Sequence, residues 1–352
     1  MSDASAPNRY PFAMPSGWFA VAESPDLAMG QTTAAYYFDT HLVLWRDVTG
    51  AAHVMDAFCP HLGAHLGHGG TVEQCEIRCP FHGWKFDAEG SNTDIPYSER
   101  TNKRATIKAY PTAERNGFLY AWYHPHDLPP AWEVEEIAEI ASGDFSGPKR
   151  TNHVVNAGIQ EMAENAVDSA HFRFVHNTAT VPEIEQYDAD GHRAVMRSSQ
   201  KFPTPRGVVD GRIDSVADGP GVSIVRFSGI IDTLLVTAST PIDSNTTQTR
   251  FNFYVRNLGD EATNSTVGEA FAAEVDKQFV EDMPIWEHKA HLVRPALADT
   301  DGPFMKFRKW YAQFYAEAVS DDRTVFPPPY WPEKLDETPQ KATASAKYGD
   351  RS

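Results

Sequence analysis

Between residues 59 and 82 the chain reads CPHLGAHLGHGGTVEQCEIRCPFH. A Cys-x-His pair, Cys59 and His61, is followed after seventeen residues by a Cys-x-x-His pair, Cys79 and His82. Two thiolates and two imidazoles offered from two short loops meet the needs of a mixed-ligand metal centre. Closed zinc sites also draw two cysteines and two histidines from two pairs, but they usually pair like with like. Here each loop supplies one of each, which suits a [2Fe-2S] cluster holding both cysteines on one iron and both histidines on the other. Zinc is the competing reading of this stretch.

A second set of ligand types lies in ENAVDSAHFRFVH, residues 164–176. On a helix His171 shares a face with Asp168, three residues earlier, and His176 follows where that helix should end. Two histidines and one carboxylate beside a cavity form the facial triad of non-haem Fe(II) enzymes, which leaves positions open for dioxygen. The carboxylate must come from elsewhere, and Glu274, Asp276, Glu281, Asp282 and Glu287 on a later helix are all candidates; spacing does not choose among them. Two histidines five apart are, in isolation, more often ordinary surface or core residues. The upstream motif reverses that balance. A cluster that carries electrons needs something to reduce, and an oxygen-activating iron needs single electrons.

These side chains need a scaffold. From Trp18 onward short apolar runs alternate with turn residues (WFAVA, AAYYF, HLVLW, AAHVM, then GFLYAWY), predicting a small antiparallel sheet domain over 15–125 with the cluster loops between strands. Glycines at 67, 69, 70 and 83 permit sharp turns there. Residues 126–149, with paired prolines, a Gly-Pro and a short helical stretch WEVEEIAEI, read as a connector. A catalytic domain follows over 150–337. It opens with a strand from Arg150 to Asn156 and a helix from about Gln160 to His171, then five strand candidates, and long helices over Asn264–Lys289 and Lys306–Val319. Phe251, Phe253 and Val255 alternate with Arg250, Asn252 and Tyr254, the pattern of a strand with one wet face. Residues 338–352 read as a disordered tail.

At 352 residues the chain exceeds one ordinary core, so two domains are expected. A net charge of -17 argues against nucleic-acid binding, which requires a surplus of lysine and arginine. No apolar run approaches a membrane span, and the first residues lack a basic-then-apolar leader, which predicts a cytoplasmic protein. The three cysteines, 59, 75 and 79, leave no pair for a structural disulfide once two are assigned to a cluster, and Cys75 reads as a cysteine without a role. His65, His68, His288 and His291 read as loop or solvent-facing residues, and Trp84 as a shield for the cluster.

Taken together, the two metal motifs, in this order and spacing, resemble those of Rieske-type non-haem iron oxygenase α-subunits over about residues 15–320. DKQFVEDMPIWEHKAHL (276–292), DGPFMKFRKWYAQFYAEA (301–318) and IPYSERT (95–101) are similar to the oxygenase components of 3-ketosteroid 9α-hydroxylases. The resemblance implies an α+β chain, with a small antiparallel β Rieske domain followed by a helix-grip domain of curved antiparallel sheet and helices. It implies that Cys59, His61, Cys79 and His82 hold the cluster and that His171, His176 and Asp282 hold a mononuclear iron, with Glu281 the runner-up. By the same resemblance Asp168 would bridge His171 to His82 of a neighbouring subunit, in a homotrimer.

The activity so implied is O2- and NAD(P)H-dependent hydroxylation of a steroid-like hydrophobic substrate, with electrons arriving through a reductase, directly or by way of a ferredoxin. The alternative is a related oxygenase that desaturates or hydroxylates a sterol, a bile acid derivative or an aromatic compound. A plain Rieske electron carrier would not need the second histidine pair, and a lipid-binding protein could share the helix-grip layout alone.

Overall fold

The structure, a computed structural model, describes residue 10 and residues 12–204 and 207–315. Residues 1–9 and 11, the end of the helix expected to reach Val319 and the tail expected from residue 338 lie outside the described residues. Among the described residues, no helix is long and apolar enough to cross a membrane.

The first part of the chain is three small antiparallel sheets. β1 (Gly17–Glu23), β2 (Thr32–Tyr37), β3 (Thr40–Arg46) and β4 (Ala52–Asp56) come first. The short β5 (Thr71–Glu73), β6 (Glu76–Arg78), β7 (Lys85–Phe86) and β8 (Asn92–Asp94) form a meander, and β9 (Ala109–Tyr110), β10 (Thr112–Arg115) and β11 (Phe118–Tyr123) complete the set. The sheet orders are β2-β3-β4-β9, β5-β6-β7-β8 and β1-β11-β10. Both cluster loops hang from this frame, one after β4 and one between β6 and β7. A core of Val43, Trp45, Met55, Leu66, Ile77 and Phe86 packs beneath them and includes the buried Cys59 and Cys79.

The second part is one seven-stranded antiparallel sheet in the order β12-β18-β17-β16-β15-β14-β13. Its strands are β12 (Lys149–Val155), β13 (Glu183–Asp190), β14 (Arg193–Thr204), β15 (Gly207–Asp218), β16 (Val222–Ser228), β17 (Thr233–Pro241) and β18 (Thr247–Val255). Sequence periodicity misses β13. EIEQYDAD is an exposed edge strand with few apolar residues to bury, so it carries no alternation to read. The short helix expected in WEVEEIAEI is reduced to α1 (Ala138–Ala141).

Two helical regions cover the inner face. α4 (Glu261–His288) starts earlier than the expected Asn264, because Asp260 takes the cap: its carboxylate accepts the Thr263 N–H at 2.8 Å. Phe271, Val275 and Phe279 of α4 pack on Leu235, Phe251 and Phe253 of the sheet. α5 (Phe304–Tyr311) passes into a 3-10 turn over Ala312–Phe314.

β18 corrects a further expectation, for it is buried on both faces. Its second face, polar in sequence, meets the first part of the chain instead of water. Tyr254 joins Trp18, Tyr120 and Trp122 in a core that also contains Val222, Ile224, Leu234 and Val236 of the sheet. Arg250 donates to the carbonyls of Ala20 at 2.9 Å and Val21 at 3.3 Å and to the Tyr37 hydroxyl at 2.6 Å. These carbonyls sit where the β1–β11 register slips between Ala20 and Ala22. Asn252, 0% exposed, donates to Glu23 at 3.2 Å.

Arg250 thus satisfies main-chain acceptors of β1 at its irregularity. Replacing it (Arg250→Ala) should cost about 3 kcal/mol, since charge-assisted bonds to buried acceptors are lost together. A thermal-unfolding midpoint unchanged from the parent would show that the interface does not depend on them.

Candidate functional site

The two cluster loops are built alike. In each, a cysteine N–H bonds to the carbonyl five residues on (Cys59 to Ala64, 2.9 Å; Cys79 to Trp84, 2.8 Å). In each, a glycine N–H four residues on returns to the cysteine carbonyl (Gly63, 2.9 Å; Gly83, 3.1 Å). Both glycines have left-handed backbone, φ 76° and 74°, and both cysteines are followed by proline. The loops differ in where the histidine falls, second in one and third in the other. The rings of His61 and His82 lie 4.7 Å apart, and His61 stacks flat on Trp84 at 4.4 Å. The Trp84 indole N–H donates to the Tyr97 hydroxyl at 2.7 Å, which brings IPYSERT to the same place. Burial pushes the Cys59 thiol up to about 11; the His61 backbone N–H lowers it and Cys79 raises it again. Two buried thiols that make no disulfide, facing two imidazoles, fit a [2Fe-2S] cluster by donor chemistry. Cys75 is exposed and apart from them.

The helix expected over 160–171 is interrupted. α2 (Ile159–Ala163) runs into a 3-10 turn at Glu164–Val167, Asp168 is non-helical (φ -99°, ψ 89°), and α3 (Ala170–Phe174) begins anew. Asp168 breaks the helix because its carboxylate accepts the His171 N–H at 3.3 Å, offering the backbone a local alternative. Its own carbonyl accepts from His171 Nδ1, so the ring is held by Asp168 main chain. The Asp168 carboxylate lies 4.0 Å from that nitrogen and is one-third exposed.

The break aims His171 and His176 at α4. Ligand atoms of His171, His176 and Asp282 lie within 4.8 Å of one another, a spacing that could hold a metal ion. His176 Nε2 is 3.5 Å from Asp282 Oδ1, and the two imidazole rings stand 5.1 Å apart, nearly perpendicular. Glu281 sits on the other side of His176, 3.0 Å from Nδ1. It therefore faces the nitrogen that points away from the shared centre. Sequence reasoning missed Asn165, whose side-chain amide donates to Asp282 Oδ2 at 2.9 Å and lies 3.4 Å from His171 Nε2. Burial pushes the Asp282 carboxyl up to about 6, against the pull of His176, and burial lowers His171 below the usual imidazole range. Two imidazoles, each with its Nδ1 engaged, and one carboxylate with one oxygen held by Asn165 fit a ferrous ion.

Alongside lies a second acidic group, which sequence reasoning also missed. His291, expected at the surface, is buried with Nδ1 2.5 Å from Glu161. Lys289 reaches the same carboxylate at 2.7 Å, and Arg308 grips Glu164 with two bonds of 2.7 and 2.8 Å. Despite burial, His291 and Lys289 hold the Glu161 carboxyl down at about 2. Cations from the protein already occupy this cluster, and it ties the segment after α4 to α2.

The histidines open onto a cavity of about 260 Å³ between the sheet and the helices. Its walls include Met162, Phe172, Ile213, Phe251, Phe279 and Trp310. Much of the sheet side comes from 182–239, a stretch with little recognisable in sequence.

Comparison with known proteins agrees with this architecture. Residues 17–111 match the Rieske [2Fe-2S] domain, and residues 121–315 match the 3-ketosteroid 9alpha-hydroxylase C-terminal domain. The oxygenase component of 3-ketosteroid-9-alpha-monooxygenase from Rhodococcus rhodochrous is 32% identical, with 90% of this chain and 89% of that protein aligned. Cholesterol 7-desaturase from Caenorhabditis elegans is also 32% identical, over 87% of this chain and 78% of that protein. Among solved structures, NdmB of Pseudomonas putida CBB5 matches with a TM-score of 0.69 at 17% identity, covering 84% of this chain and 89% of that one. Apo dicamba monooxygenase matches with 0.67 at 17% identity, covering 86% and 97%. At that identity the structural likeness speaks for the fold. The chain belongs to the Rieske-type non-haem iron oxygenases, enzymes with a [2Fe-2S] cluster, a mononuclear iron and NAD(P)H electrons supplied by a reductase.

Proposed function

We propose that this chain is the terminal oxygenase that hydroxylates a steroid-like hydrophobic substrate, drawing on O2 and on NAD(P)H through a reductase, directly or by way of a ferredoxin. The observation that carries the reading is the apolar cavity opening onto His171, His176 and Asp282. Its shape and lining suit a rigid apolar skeleton laid beside the metal. The 3-ketosteroid oxygenase relatives support the substrate class. A second reading, desaturation of a sterol, is favoured by the equally similar cholesterol 7-desaturase.

In this reading the domains run 15–125 and 150–337, with 126–149 between them. Cys59, His61, Cys79 and His82 hold the cluster; His171, His176 and Asp282 hold the iron. When bound, the two centres supply single electrons and dioxygen activation. The chain's own residues do the positioning. Asp168 carbonyl and Glu281 each engage the outward nitrogen of an imidazole, leaving Nε2 toward the metal, and Asn165 fixes one oxygen of Asp282. Aromatic walls keep water from the bound substrate.

Asp168 connects the centres of neighbouring subunits in a homotrimer. Support comes from layout: the β1-β11-β10 sheet of the first part packs on the outer face of the large sheet, and the histidines lie on its inner side. Leu62, Phe81 and Tyr97 stand in water beside the cluster loops, and Phe174, 81% exposed, stands beside the histidine segment. Apolar patches at both centres suit a closed head-to-tail ring. With Cys59 and Cys79 given to the cluster, Cys75 has no cysteine partner for a disulfide, which together with dependence on a reductase favours a cytoplasmic location.

Incubation with a reductase, NADH, O2 and a panel of 3-ketosteroids and sterols should yield a product one oxygen atom heavier. A product two hydrogens lighter selects desaturation, and NADH consumption unaffected by every panel member overturns the substrate class. Asp282→Asn should lose the mononuclear iron while keeping the cluster's visible absorbance, and Glu281→Gln should retain most of it. Equal iron content in the two variants would reverse the assignment.

Acidity offers a separate check. A carboxyl raised to about 6 is protonated below that pH and must shed its proton to bind metal. Ferrous affinity of the chelator-stripped chain should therefore fall about tenfold per pH unit below that point, followed by titration calorimetry. A flat profile from pH 7 to 5 would remove Asp282 from the ligand set.

A further inference from the structure

The sheet wall of the cavity carries a line of hydroxyls that no single stretch of sequence displays. Thr249 pairs with Ser239 across β18 and β17; two residues along, Thr237 pairs with Ser223 on β16. Ser223 lies opposite Ala217 on β15, whose neighbour on the same face is Ser215. Ser215 pairs with Met196 on β14, and the next residue on that face is Ser198. All six line the cavity. They step diagonally across five strands, a span of about 19 Å at the usual inter-strand spacing. That is long enough to follow a polycyclic skeleton from end to end.

A hydroxyl facing an apolar cavity costs free energy unless bonded. Small size alone would be met by alanine. Ser239 and Thr249 bond to each other at 3.0 Å, and Ser198 donates to the Ile213 carbonyl at 2.7 Å. The hydroxyls of Ser215, Ser223 and Thr237 make no hydrogen bond to another described residue. They are the middle of the line and open to whatever the cavity holds.

The opposite wall is different. Val275, Phe279 and Trp286 of α4 and Phe307 and Trp310 of α5 present apolar surface. Away from the candidate metal centre, where Asn165, Asp168, Ser169, His171, His176 and Asp282 gather, polar ends on this side are engaged: Trp310 Nε1 donates to the Gly191 carbonyl, the Tyr311 hydroxyl to Pro220, and the Gln278 amide to Glu274. The sheet wall thus carries its hydroxyl line among apolar residues such as Met196, Ile213 and Val225, whereas the helix wall away from the candidate metal centre is hydrocarbon.

We propose that the substrate is facially amphipathic, a polycycle with hydroxyl or keto oxygens along the face turned to Ser215, Ser223 and Thr237, its bare face against the helices. This rests on the steroid reading and narrows it. An evenly apolar cavity would bind a hydroxylated steroid more weakly than its unsubstituted parent, because the added hydroxyls lose water. A cavity lined in this way reverses that order.

The test uses the holo-oxygenase and two probes, androst-4-ene-3,17-dione and its 7α,12α-dihydroxy derivative, with binding followed by quenching of tryptophan fluorescence. The dihydroxy probe should bind about tenfold more tightly, as expected for two modest hydrogen bonds. Ser215→Ala and Ser223→Ala should each weaken it about threefold to tenfold, and affect the parent probe less than twofold. Ser223→Thr, which keeps the hydroxyl, should hold the preference, and unchanged cluster absorbance reports intact folding in every variant. Equal or reversed affinity of the two probes overturns the proposal and leaves the steroid reading standing. Quenching by neither probe overturns both.

Discussion

A strand with both faces buried cannot shift without breaking two cores at once, and β18 is such a strand. Its inward residues, Phe251 and Phe253, pack on Phe271 and Phe279 of α4. Its outward residues, Arg250, Asn252 and Tyr254, hold β1, β2 and β11. A slip of one residue would exchange the two sets. The same nine residues therefore fix where the cluster-bearing sheets stand and where the helix with Asp282 lies. The metal centres owe their positions to one register.

Much of this was legible before the structure. Both metal motifs are local, so residue type and spacing carried them, and the inner strands announced themselves by alternating apolar residues. What escaped depends on partners far away in sequence. β18 reads as half wet because its polar residues look solvent-facing until another sheet supplies Ala20, Val21 and Glu23 as acceptors. β13 has almost nothing to bury, and edge strands reveal themselves through pairing alone. The helix break at Asp168 turns on a competition between side-chain and main-chain bonding that propensity does not resolve. Asn165 and the Glu164–Arg308 pair carry no spacing signal, since their partners lie 117 and 144 residues away.

The candidate iron site draws its order from groups outside the His171, His176 and Asp282 set. Main chain holds one imidazole, a carboxylate the other, and an amide the remaining oxygen of Asp282. Behind α2, the buried Glu161 and Glu164 clamp Lys289, His291 and Arg308, so the chain leaving α4 is fastened to the segment that carries Asn165 and leads to His171. Breaking such a buried pair would leave an uncompensated charge. The clamp thus makes the relative placement of α2 and the end of α4 a matter of folding stability.

Pro284 stands inside α4, two residues beyond Asp282 and two before Trp286. Having no N–H, it leaves the Val280 carbonyl without its helical partner, on a turn whose side chain is exposed. The turn that bears the carboxylate is held by one main-chain bond fewer than the rest of the helix. Phe279, a cavity wall, and Asp282 lie three positions apart on that turn. A molecule that fills the cavity against the phenyl ring therefore bears on the same turn that holds the Asp282 carboxylate.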